Sequence, residues 1–107
     1  MSYLMTKLGD VVKRIRSKNA GPFWITVDIF CGDLKVFNLV RNTITTSMVL
    51  QLTKVPAKAL KRFELEGLMV VKFSFHRQAI QGSRGDRDMH GAQIANLFLE
   101  LDVKVLV

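Results

Sequence analysis

The feature that most restricts this chain is strict alternation of apolar and polar residues. Leu97, Leu99, Leu101, Val103, Val105 and Val107 alternate with Phe98, Glu100, Asp102 and Lys104. Successive side chains of a strand point to opposite faces, so such a run predicts a strand with one face buried. Two more runs read the same way. Over Phe23–Cys31, Phe23, Ile25, Val27 and Ile29 share one face, and Trp24, Thr26, Asp28 and Phe30 share the other. Over Leu68–His76, Met69, Val71, Phe73 and Phe75 share a face, and Lys72, Ser74 and His76 end the opposite one. A chain with three such strands folds around a sheet that hides one side.

The intervening segments predict helices that do the hiding. Gly32-Asp33 turns the chain and caps a helix from Leu34 to about Asn42. Thr45 or Thr46 caps a second helix through Lys54, with Pro56 just beyond. Leu60–Glu66 reads as a short edge strand, and His90–Asn96 as a short helix. At the N-terminal end, Leu8, Val11, Val12 and Ile15 recur at helical spacing among Lys7, Lys13, Arg14 and Lys18. Asn19-Ala20-Gly21-Pro22 then closes that helix. The rival reading, a strand over Val11–Arg16, is weaker because Gly9 and Asp10 are poor strand residues. The expectation is a single α+β domain over residues 1–107. It is a ferredoxin-like βαββαβ antiparallel sheet with helices on one face, preceded by an extra N-terminal helix.

Composition narrows the class of function. At 49% hydrophobic, the chain carries more apolar surface than one small core hides, which predicts a homo- or hetero-oligomer. No apolar run is long enough to cross a bilayer, and no signal peptide is recognisable, so a cytoplasmic protein without membrane contact is expected. A lone cysteine, Cys31, fits a reduced compartment, and no activating base surrounds it. A net charge of +7 favours anionic partners, from organic acids to nucleic acid.

The candidate site rests on two polar stretches. Ala79–Met89 has no apolar period and holds Gly82, Ser83, Gly85, Arg84, Asp86, Arg87 and Asp88. A loop of this length in so small a domain suits binding, and its glycines allow a ligand to approach the backbone. The ordinary alternative is a surface loop whose charges pair among themselves. Asp86, Asp88 and His90 alternate and are candidate metal ligands, but Arg84 and Arg87 between them oppose a cation, so no metal is assigned. A free imidazole exchanges its proton near neutral pH, so His90, with Asp88, is a candidate for proton transfer. No complete Walker pattern is present, so the loop is not a P-loop, and no cofactor is assigned. The second stretch, Arg16-Ser17-Lys18-Asn19-Ala20-Gly21, places two cations and an amide at a turn, which suits a carboxylate or phosphate. Taken alone, ordinary helix C-capping explains it better. Asp28, inside an apolar strand, faces either solvent or a polar partner such as Lys18 or Lys72.

These stretches together carry a resemblance. Arg16–Phe23, Thr26–Ile29 and Gly82–Gln93 resemble a family of small bacterial, archaeal and fungal proteins often encoded beside proteins of the acyclic terpene utilisation type. They are distantly similar to the ferredoxin-fold domain attached to those proteins. The resemblance covers nearly the whole chain. It departs from the family's habit at Gln78, where proline is usual, and at Ile94, where a second glutamine is common.

What the resemblance implies is a small subunit or accessory protein in acyl-CoA or organic-acid catabolism, docked on a larger protein of the terpene-utilisation type. An enzyme subunit of lyase, hydratase or CoA-ester-processing type would follow. Arg16, Lys18 and Arg84 would hold the anionic metabolite or CoA ester, with Asn19, Asp28, Asp86 and Gln93 lining the site, and Asp88 or His90 moving a proton.

Two other classes stay open. One is a basic ferredoxin-like nucleic-acid-binding module. Against it, Phe73 and Phe75 look like core and no RNP1 pattern is present. The other is a structural homo-oligomer without a site, with the C-terminal strand as its pairing edge.

Overall fold

The computed structural model describes residues 3–21, 23–76 and 91–106. Two strands dominate it, β3 (Trp24–Phe30) and β5 (Val70–His76), paired antiparallel along their whole length from Trp24↔His76 to Phe30↔Val70. Their inward residues Ile25, Val27, Ile29, Val71, Phe73 and Phe75 are each no more than 1% exposed. The sequence predicts that burial, Phe23 apart: it lies just before β3 and is exposed. Flanking strands β2 (Arg14–Ala20) and β4 (Leu60–Leu65) complete an antiparallel sheet of order β2-β3-β5-β4.

Helices cover the apolar face. Both predicted caps form before the two central ones. The Val36 N–H donates to Asp33 Oδ1 at 2.8 Å ahead of α2 (Leu34–Thr43), and the Met48 N–H donates to Thr45 Oγ1 at 3.1 Å ahead of α3 (Thr46–Thr53). Phe37, Val40, Ile44 and Val49 from this pair join the core. A further helix, α4 (Gly91–Leu99), adds Ile94 and Phe98, whose ring lies 5.9 Å from that of Phe73. The Ala95 N–H donates to the buried Ser17 hydroxyl at 2.9 Å, which ties α4 to β2.

The N-terminal expectation is corrected. The chain begins with a strand, β1 (Tyr3–Lys7), and its helix α1 is a single turn, Leu8–Val11. Residues predicted to continue that helix form β2 instead. Arg14, Ile15, Arg16, Ser17 and Lys18 also alternate, and β2 pairs with β3 over Arg14↔Phe30 to Ala20↔Trp24. That ladder pairs seven residues with β3, whereas a short isolated helix is marginal in water. Gly21, at φ +75°, supplies the left-handed residue of the hairpin turn rather than a helix end. Gly9 has a different role. A Cβ there would lie 2.8 Å from Leu99 Cδ2, so the glycine lets α1 sit against the end of α4.

The C-terminal end differs as well. Leu97 and Leu99 belong to α4, and the last strand, β6, runs only over Asp102–Leu106. In a βαββαβ sheet it would lie beside β3. That place is taken by β2, and β6 pairs antiparallel with β1 in a separate two-stranded ribbon, Tyr3↔Leu106 to Lys7↔Asp102. The ribbon turns Val103 and Val105 toward the core and exposes Tyr3, Leu4 and Met5 by more than half. Lys7 closes it, 3.0 Å from Asp102 and 4.0 Å from Glu100. The overall class is therefore α+β with antiparallel sheets and helices, arranged differently from the expectation at both ends.

Arg62 fastens β4 to the helical layer. Its guanidinium donates to the carbonyls of Ile44 at 2.6 Å and Arg41 at 2.9 Å, and to Glu64 Oε2 at 3.0 Å. It thus satisfies carbonyls at the end of α2 that the helix leaves unpaired. Arg62→Ala should lower stability in urea denaturation by about 2 kcal/mol, since it strands two acceptors. Glu64→Ala, which removes only the outer ion pair, should cost about 0.5 kcal/mol.

Candidate functional site

The pleat that sends the apolar residues of the sheet inward sends a different set outward. No outward side chain of the four strands belongs to the core cluster. Register arranges them in rows. One row crosses the sheet as Arg16, Asp28, Lys72 and Phe63. The next is Lys18, Thr26, Ser74 and Lys61, followed at the end of the sheet by Ala20, Trp24 and His76. On the other side lie Arg14, Phe30, Val70 and Leu65. Directly opposed residues have Cβ atoms about 5 Å apart. Rows along a strand repeat at about 7 Å, two residues on.

This outer face is strongly cationic. Arg14, Arg16, Lys18, Lys61 and Lys72 stand on it against a single carboxylate, Asp28. Asp28 sits between Arg16 and Lys72, yet the ion pairs among the described residues join only Lys7 to Glu100 and Asp102, and Arg62 to Glu64. Among the described residues, then, none of the charges in this row is taken up by an ion pair. Aromatic rings lie among the cations. The Arg14 guanidinium is 4.6 Å from the Phe30 ring centre, and Lys61 Nζ is 5.3 Å from that of Trp24. His76 packs edge-on against Trp24 and stacks on Phe23. Phe63 on edge strand β4 is 43% exposed.

At the middle of the face is a polar atom without a partner. Thr26 is 6% exposed, and its hydroxyl oxygen is buried with no hydrogen bond. A buried hydroxyl in this state is disfavoured by about 1–3 kcal/mol. It is flanked by Lys18 and Ser74 in its own row.

The sequence-predicted site residues divide accordingly. Arg16 and Asp28 share a row, and Lys18 stands in the next, so strand pairing brings together three residues from two separate motifs. Asp28 does face Lys72, as one of the two partners considered for it, and Lys18 is opposite Thr26. Asn19 is separated from them. It pairs with Ile25 and points to the other side of β2, where it is exposed. Arg84, Asp86, Asp88 and His90 lie outside the described residues, as does the Ala79–Met89 loop, and the side chain of Gln93 in α4 is likewise not described. Among the described residues no cluster of three His, Cys, Asp or Glu is close enough to hold a metal. No helix of the described residues is long and apolar enough to cross a membrane.

Sequence reasoning missed Lys61 and Phe63. Their signal was the alternation Lys61, Phe63, Leu65, which puts all three on the outer face once β4 pairs with β5. A groove of about 420 Å³ between α2 and β6, lined by Val11, Val36, Leu39 and Val105 among others, contains no candidate residue.

The family described as Domain of unknown function (DUF4387) matches residues 8–102. The chain belongs to that family. The DUF4387 match takes in the whole four-stranded sheet and begins only after β1, so the cationic face lies within the family's span while the exposed strand of the ribbon does not. No curated protein and no solved structure matches the chain.

Cys31, next to β3, is 3% exposed and its thiol points to the Ile29 carbonyl at 3.7 Å. Burial, and then the nearby Asp33 charge, push its pKa up from 9.0 to about 11. The proton is thus held more tightly in the folded chain, which is the reverse of an activated nucleophile. The contribution to stability is present in full below pH 9 and is lost as pH rises toward 11. A urea titration should show stability falling between those values, with a shallower fall in Cys31→Ala.

Proposed function

We propose that the outer face of the sheet binds an anion, and that the chain is a small subunit or accessory protein in acyl-CoA or organic-acid catabolism. The observation that carries this reading is the row Arg16–Asp28–Lys72 with Lys18 and Lys61 beside it. These cations are held by a rigid ladder, with no ion pair among the described residues to neutralise them. Charge-assisted bonds from such groups favour carboxylate and phosphate. Asp88 and His90 are the proposed proton-transfer pair, and Arg84, Asp86 and Gln93 the proposed remainder of the site. The reaction class proposed with them is lyase, hydratase or CoA-ester processing.

A larger partner of the acyclic-terpene-utilisation type is part of the same proposal. The sequence resemblance supports it. So does the exposed apolar run Tyr3-Leu4-Met5, since exposed apolar patches mark interaction surfaces. Ferredoxin-like ancestry is proposed on the same basis. The arrangement β3, helices, β4, β5 with β5 between β3 and β4 supports it.

A second reading has an observation of its own. Trp24, Phe30 and Phe63 share the cationic face, so aromatic and basic residues do interleave on the sheet, though not through Phe73 and Phe75, which are core. Single-stranded nucleic acid is bound by such surfaces.

Binding of small dicarboxylates, phosphates and CoA esters, followed by calorimetry, tests the first reading. Arg16→Ala combined with Lys72→Ala should weaken the best of them about tenfold or more, with the fold intact by circular dichroism. Asn19→Ala, on the other side of β2, should leave binding unchanged. Equal binding by wild type and the double variant, or none by either, would exclude the face as the site.

A further inference from the structure

The cationic face contains more than charge, and its other groups specify what kind of anion it suits. Along the row Phe63, Lys72, Asp28, Arg16 the chemistry changes in order from an exposed ring, to a cation, to a carboxylate, to a cation. The adjoining row places two hydroxyls, Ser74 and Thr26, between Lys61 and Lys18. A simple dicarboxylate needs the cations alone. It has no use for the ring, and the Asp28 carboxylate would repel it.

We propose, resting on the anion-binding reading above, that the ligand of this face is a nucleotide. Its base lies on Phe63 beside Lys72, its ribose hydroxyls donate to Asp28, and its phosphates take up Arg16 and Lys18 on β2. The ring, the carboxylate and the β2 cations of the face then each have a partner. A carboxylate among cations is the natural acceptor for a sugar diol, which carries donors and no charge. The spacing is suitable: Phe63 and Arg16 are three strands apart, or about 14 Å, so a base, a ribose and two phosphates laid across the sheet span it.

The number of free rings fixes the size of the ligand. Sequence-tolerant binding of a nucleic-acid strand uses a series of rings for successive bases. Here Phe30 is covered by Arg14, Trp24 is held between Lys61 and His76, and Phe23, though exposed, has its ring stacked on His76. Phe63 alone of the strand aromatics on this face is exposed by more than a third, which is a platform for one base. The ligand is therefore a mononucleotide, free or as the nucleotide end of a coenzyme.

The test is calorimetric titration of the full chain, at one fixed ionic strength, with ADP, pyrophosphate, succinate, coenzyme A and an eight-residue oligouridylate. ADP should bind about tenfold tighter than pyrophosphate, the difference being the base on its ring. Phe63→Ala should abolish that difference and leave pyrophosphate binding as it was, with Phe63→Leu as a bulkier control for the fold. Arg16→Ala combined with Lys18→Ala should weaken ADP and pyrophosphate alike by about tenfold or more. Coenzyme A binding tighter than ADP identifies a coenzyme as the source, and equal binding identifies the free nucleotide; either supports the proposal. Pyrophosphate or succinate binding as tightly as ADP overturns it while leaving the anion site in place. Oligouridylate binding tighter than ADP overturns it in favour of a nucleic-acid strand. No binding by any probe removes both this proposal and the anion-binding reading.

Discussion

Everything else in this fold hangs on β3. It is hydrogen-bonded along both edges, to β2 and to β5, and each of its inward residues is buried. A strand paired on both sides cannot slip by one residue without turning Ile25, Val27 and Ile29 outward and Trp24, Thr26 and Asp28 inward. The apolar packing that fixes its register therefore also fixes the rows of the outer face. The core and the candidate site are two consequences of one alternation. The same packing that sets Val27 against the helices sets Asp28 between Arg16 and Lys72.

The parts of the fold legible in the sequence are those where a local signal and the tertiary demand agree. Asp33 and Thr45 cap their helices as their positions predict, because a cap is a contact within four residues. β3 and β5 were legible because β-branched and aromatic residues alternate without competition. The N-terminal segment was not. Leu8, Val11, Val12 and Ile15 satisfy a helical period, while Ile15 and Ser17 equally satisfy a strand. The decision belongs to the long-range ladder with β3 and to the Ser17–Ala95 hydrogen bond, neither of which has a sequence signature. At the other end, the alternation of leucines ran unbroken from Leu97, but Phe98 is needed over Phe73, and a helix delivers Ile94, Ala95 and Phe98 to the core together.

The candidate site was half legible for a related reason. That Asp28 and Lys72 belong to outward faces follows from each strand alone. That Arg16 and Lys18 join them follows only once residues 14–20 are a strand rather than the end of a helix. Asn19 stands next to Lys18 in the sequence, and the pleat puts it on the opposite side of the sheet. Adjacency in a motif is thus a poor guide to adjacency in space wherever the motif lies in a strand.

The ribbon of β1 and β6 has a consequence for how the chain comes into being. Tyr3 pairs with Leu106, so β1 precedes its partner by almost the whole length of the domain. Until the C-terminal residues have emerged, Tyr3, Leu4 and Met5 have no ladder to join, while the sheet of β2 to β5 can already assemble behind them. Contacts of such sequence separation form slowly. A nascent chain would therefore carry β1 unpaired while the rest of the domain is synthesised, and unpaired strands of that kind are where chaperones bind and where chains aggregate.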